Sequence, residues 1–240
     1  MENVEVKNKY NEKINKNKKY EEGRWFSNDI QKFNYETTKD AVTRFLDGFS
    51  KIDCVELGPG HGTWTEFILK QDEKARIDFV DISSEMLKIL KERFGDKQGL
   101  RFFESDFLKY KSDKKYSVFF SSRAIEYIND REGMAAMISE LMDEGGLGFV
   151  ITKTPHYLRI KILGKKISDF HKGQLTPQEL KRLLGDKGLQ IEYIHPVTFS
   201  WPFWKSVKMN QLLFKIFGGK EINCVSQFFS ESYAVKFSKK

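Results

Sequence analysis

The chain has 240 residues, of which 40% are hydrophobic and 31% charged, enough to bury a full core as one large domain. No apolar run approaches the length that spans a bilayer, and the N-terminus lacks the apolar stretch of a secretory signal, so a cytoplasmic protein is expected; Cys54 and Cys224 stand too far apart to suggest a disulfide framework or a metal site. The net charge of +7 is uneven: residues 150–240 hold 16 Lys/Arg against 6 Asp/Glu, whereas residues 1–149 hold 25 against 28, which reads as a solvated lysine-rich surface or as attraction to an anionic substrate, nucleic acid or membrane face.

Residues 1–20 are rich in Lys, Asn and Glu and read as a polar arm, placed at 1–24, with the folded domain over 25–240. Arg24-Trp25-Phe26 is the first place with something to bury, and a helix is expected over 29–49. The apolar run 52–57 is a strand that breaks into Gly58-Pro59-Gly60-His61-Gly62, where glycines at alternate positions let a ligand approach the main chain. A phosphate loop is not indicated, because no Gly-Lys-Ser/Thr follows. A dinucleotide fingerprint fits poorly: its sixth position is Thr63, and the third glycine comes one residue early at Gly62.

A helix follows over 64–70, where Trp64 reads as packing. Residues 75–81 form a second strand ending on Asp81, and Ile82 opens the next helix. A carboxylate in that place can accept from both hydroxyls of a ribose. A third strand over 100–104 leads to Ser105-Asp106-Phe107, and a fourth over 116–122 leads to Arg123-Ala124-Ile125-Glu126-Tyr127. Beyond it come a helix over 130–142 closed by Gly145-Gly146, a strand over 147–152, and a capping box at Thr176-Pro177-Gln178-Glu179 that starts a helix ending at Gly188. Strands over 189–194 and 232–237 complete the series. Two stretches, 154–175 and 196–230, are longer than a minimal doubly wound fold needs.

The string E-x-G-x-G-x-G from Glu56 to Gly62, with Asp81, Asp106 and the fourth strand in series, resembles the class I S-adenosylmethionine-dependent methyltransferases over residues 52–158. The resemblance implies an α/β fold: a doubly wound seven-stranded sheet, six strands parallel and the seventh antiparallel, with helices on both faces and the two inserts roofing the active site. It implies S-adenosylmethionine as cofactor and S-adenosylhomocysteine as product. The cofactor residues it points to are Glu56, Gly58, Gly60, Gly62, Asp81, Ile82, Asp106, Phe107 and Ser122. Asp81 would hold the ribose, Asp106 would accept from the exocyclic amine of adenine with Phe107 beside it, and the methionine amino group or backbone donors would face Glu56. Asp81 and Asp106 also read as ordinary caps or turn formers. Glu126, in the loop under the reacting methyl group, and His171, in the first insert, are the candidate catalytic bases.

For the acceptor, Ser121-Ser122-Arg123-Ala124 replaces the Asp/Asn-Pro-Pro-Tyr/Phe motif of enzymes that methylate DNA amines. Cys54 is misplaced for a cytosine nucleophile, and Glu126 has no second glutamate beside it as arginine methylation would require. The resemblance is thus to the group acting on small molecules, lipids and sugars, by O-methylation. The stretch from His171 to Pro177 resembles members linked to surface glycan or glycolipid synthesis. Arg159, Lys161, Lys165 and Lys166 suit an anionic, phosphate-bearing lipid carrier, with peripheral contact at the inner membrane surface. A small-molecule or lipid-linked glycan is therefore the expected partner and nucleic acid is not, while oligomeric state has no signature. The alternatives are an RNA-modifying methyltransferase and a non-catalytic S-adenosylmethionine-binding subunit.

Overall fold

Strands buried on both faces must be apolar nearly throughout, and those of this chain are: Cys54, Val55 and Leu57, then Ile77, Phe79 and Val80, then Val118, Phe119 and Phe120 are all buried. In the computed structural model, which describes residues 7–8, 11–12, 20–155 and 173–240, they belong to one seven-stranded sheet. In chain order its strands are β1 (Asp53–Leu57), β2 (Arg76–Asp81), β3 (Leu100–Glu104), β4 (Tyr116–Ser122), β5 (Met142–Lys153), β6 (Leu189–Phe199) and β7 (Ser230–Lys239). The spatial order is β3-β2-β1-β4-β5-β7-β6. Neighbours from β3 to β5 pair in parallel, and β7 runs antiparallel between β5 and β6. This is the expected doubly wound sheet with its antiparallel seventh strand.

The helices are α1 (Tyr20–Phe26), α2 (Asp29–Leu46), α3 (Thr65–Gln71), α4 (Ser84–Phe94), α5 (Arg131–Leu141), α6 (Pro177–Gly185), α7 (Val207–Phe217) and α8 (Cys224–Phe229). On one face, Phe45 of α2 stacks on Phe149 of β5 at 4.5 Å between ring centroids, beside Phe120, Ile77 and Trp64. The other face packs Ile138 of α5 and Leu180 and Leu184 of α6 against Phe119, Val235 and Tyr233. Each such side chain contributes roughly 1.5–3 kcal/mol by leaving water.

Boundaries differ from the sequence reading most at the start of β5 and the end of β6. The helix begun by the Asp130 cap stops at Leu141, and Gly145-Gly146 does not close it, because Met142 already pairs with Tyr116. The residues that follow are taken up in a register shift before Val118 meets Leu147, with Gly145 at φ +77°. Strand β6 continues through Pro196 to Phe199. Proline is tolerated there because β6 is an edge strand, with β7 on one side only. The second insert contributes α7 and α8, whereas most of the first insert lies outside the described residues.

Chain direction positions the site. From β1 the chain winds outward through β2 and β3, then crosses back to β4 on the other side of β1, so the turns after β1 and β4 diverge. Open parallel sheets bind ligands in the crevice at such a switch point, beyond the carboxyl ends of the strands.

Candidate functional site

Gly58 leaves β1 at φ +64°, in a backbone region that L side chains avoid, and its N–H donates to the Val80 carbonyl at 2.9 Å. A Cβ there would sit 2.4 Å from the Ala124 Cβ, so the loops after β1 and β4 touch at a glycine. The Gly60 N–H donates to the Asp81 carboxylate, as do those of Ile82 and Ser83; the Ser83 bond measures 2.8 Å. Burial raises the Asp81 pKa to about 6 against the pull of those three donors. The next loop is tied on by the Ser105 N–H, 3.0 Å from the Asp81 carbonyl. There Asp106 caps the single 3₁₀ turn Phe107–Lys109 by accepting from the Leu108 N–H at 3.1 Å.

These loops enclose a crevice of about 780 Å³, mouth included, lined by Gly58, Gly60, Asp81, Ile82, Met86, Ser105, Asp106, Phe107, Ser122, Arg123, Ala124 and Tyr127. Seven of the nine expected cofactor residues meet here: Gly58, Gly60, Asp81, Ile82, Asp106, Phe107 and Ser122. The Ser122 hydroxyl is buried without a hydrogen-bond partner among the described residues, a state that a polar ligand atom would relieve.

The other two stand behind the crevice. Glu56 is 1% exposed and accepts from the Thr65 hydroxyl at 2.8 Å; burial raises its pKa to about 8. Gly62, at φ +75°, lets α4 come close, since a Cβ would lie 2.4 Å from Phe94 and 2.7 Å from Leu90. Of the candidate bases, Glu126 is fully buried and does not line the crevice. Its two oxygens accept from Arg123 Nε at 3.2 Å and Thr152 Oγ1 at 2.9 Å. His171 lies outside the described residues.

Sequence reasoning missed Glu21 and Arg24, assigned there to the polar arm, which line the crevice from α1. Glu21 accepts from Trp25 Nε1 at 2.7 Å and from Thr63 Oγ1 at 2.9 Å. That second bond fastens α1 to the loop after β1. The available signal was Trp25 itself: an indole that must be buried draws in the helical turn before it, and Glu21 stands four residues back on the same face.

Residues 55–147 match a family described as a methyltransferase domain. Malonyl-[acyl-carrier protein] O-methyltransferase 2 of Ilyobacter polytropus is 29% identical over 153 residues, covering 62% of this chain and 59% of the relative. Malonyl-[acyl-carrier protein] O-methyltransferase 1 of the same organism is 33% identical over 108 residues, covering 45% and 40%. The chain thus spans about half the length of these curated relatives. Among solved structures, magnesium protoporphyrin IX methyltransferase from Synechocystis PCC 6803 with bound SAH superposes with a TM-score of 0.69 at 15% identity, covering both chains fully.

Proposed function

We infer that this chain, a member of the class I S-adenosylmethionine-dependent methyltransferases, transfers a methyl group to an oxygen of a small-molecule acceptor. The observation that carries the reading is the convergence of Gly58 and Gly60, Asp81, Asp106 and Ser122, from the carboxyl ends of four strands, on one crevice at the switch point. Asp81 would accept from the ribose hydroxyls and Asp106 from the adenine amine, with Phe107 beside the base. The bare main chain at Gly58 and Gly60 leaves room for the methionine part. When bound, S-adenosylmethionine supplies a methyl group already activated by its sulfonium, which leaves the protein to align the acceptor and exclude water.

Glu126, tied on both oxygens, is suited to holding Arg123 in place rather than to taking a proton. Arg123 needs such support because it has φ +65° without being glycine. For acceptors that arrive as neutral hydroxyls, His171 would serve as the base. The names of the relatives favour an acyl acceptor with a carboxylate. The reading as a phosphate-bearing glycolipid draws instead on Arg159, Lys161, Lys165 and Lys166, outside the described residues. Contact with an anionic membrane is supported by Phe203 and Trp204, 64% and 60% exposed, in a segment, 201–220, with four lysines and no acidic residue.

Calorimetry tests the assignment. S-adenosylmethionine should bind, and Asp81→Ala should weaken it by about 1–3 kcal/mol through loss of charge-assisted ribose contacts. Heat with NAD but none with S-adenosylmethionine would overturn it.

A further inference from the structure

A second cavity shares a wall with the first. Arg24 and Arg123 line both, and beyond them stand Lys153, Asn34, Thr198 and Glu231. Lys153 ends β5, two residues past Ile151, which pairs with Ser122; that places it about 7 Å further along the strand direction than the crevice floor.

The charges there are left incomplete by the protein's own groups. Arg123 is committed to Glu126, and Arg24 lies 3.5 Å from Glu21. Lys153 is half-buried, and its ammonium makes no hydrogen bond or ion pair with a described residue. Burial and the Arg123 and Arg24 guanidiniums push its pKa down, while Glu231 and Glu126 push it up. In the same cavity wall Asn34, 5% exposed, has a side-chain oxygen with no partner among the described residues. A half-buried cation without an ion pair and a buried acceptor without a donor are costly unless something else satisfies them.

We propose that this second cavity is the acceptor site, where Lys153 holds an anionic group of the acceptor, a carboxylate or a phosphate, while Asn34 accepts a hydrogen bond from the same molecule. Its role as acceptor site rests on the first cavity holding the cofactor, because the two meet at Arg123. Anchored at Lys153, an acceptor would extend past Arg123 toward Ser122. An acceptor whose reacting atom is itself a carboxylate oxygen needs no base, in keeping with a Glu126 that is tied down.

The test follows thermal unfolding of the full chain with malonate and, separately, with inorganic phosphate, each against sodium chloride of equal ionic strength. Wild type and Lys153→Arg should gain about 2–4 °C, saturating with anion, and Lys153→Met should gain nothing. The unliganded Lys153→Met protein should unfold no earlier than wild type, because it has lost an unmatched cation rather than an ion pair. A larger gain with malonate assigns the site to carboxylates, and a larger gain with phosphate assigns it to phosphates. A wild type that responds no more than to chloride, or an equal response in Lys153→Met, overturns the proposal. Calorimetry with S-adenosylmethionine on the same proteins keeps the two readings apart. Its heat should be the same in Lys153→Met, and its absence from wild type would remove the cofactor reading while the anion result still stands.

Discussion

Two positions separate Gly60 from Gly62, yet substituting them should damage different properties. A Cβ on Gly62 runs into Phe94 and Leu90 of α4, and the left-handed backbone adds its own penalty of roughly 1–2 kcal/mol. Gly62→Ala should therefore lose about 2–4 kcal/mol of stability in urea. Gly60, at φ +57°, carries the same left-handed penalty but, among the described residues, has only the Glu21 carboxylate near its missing Cβ, at 3.5 Å, and it faces the crevice. Gly60→Val should keep most of the fold and lose cofactor binding, as circular dichroism and ligand titration together would show; a folded variant with full affinity would move the site elsewhere. Glu56 offers a third test. Its folded pKa of about 8 lies above the ordinary 4.5, so the folded state holds the proton more tightly and stability falls as pH rises between those values. Glu56→Gln can still accept from Thr65 and does not titrate. It should gain on wild type from pH 5 to pH 8, ending on the order of a few kcal/mol ahead, and hold that lead above pH 8. Parallel melting curves across that range would refute the assignment.

Among the elements, strands β2, β3 and β4 are cross-linked by one carboxylate. Asp78, 1% exposed, accepts from Arg101 Nε at 2.8 Å and its Nη2 at 2.5 Å, from Tyr116 at 2.5 Å and from Tyr110 at 3.2 Å. Asp78→Ala should lose about 2–4 kcal/mol in chemical unfolding, since it takes a buried acceptor from Tyr116 and Tyr110 and leaves Arg101 with only the exposed Asp113 carboxylate. A loss under about 1 kcal/mol would mean that water replaces the carboxylate. The strands were legible because parallel strands covered on both faces must be apolar runs, and the Thr176 cap was legible because it satisfies its helix from nearby residues. The start of β5 was not. Met142 to Gly146 carry no alternating pattern, and their place is set by Tyr116 across the sheet. Residues 20–24 were equally opaque, because a helical turn that is polar except where Trp25 anchors it resembles a solvated arm.

At the scale of the whole molecule, local sequence reported what lies along each loop and tertiary packing decided what faces inward. Asp81 ends a strand, and Asp106 and the Gly58–Gly60 turn come within two residues of one, so finding the strands placed them. Glu126 has the right sequence position, but its side chain turns to Arg123 and Thr152, a choice that no spacing rule encodes. Lys153 was invisible for the opposite reason: it ends β5 as one more lysine in a basic half of the chain, and only the arrival of α1 and α2 over the sheet makes it the wall of a cavity. That arrival has a practical consequence. Trp25 donates its indole N–H to the carboxylate that lines the crevice, and its ring lies edge-on to Trp64 at 5.5 Å. Any occupant that competes for Glu21 or shifts α1 will alter the light this indole emits, giving the protein an unlabelled optical gauge of its own occupancy. Trp25→Phe should silence the gauge while Trp204→Phe, at the exposed patch, leaves it reading.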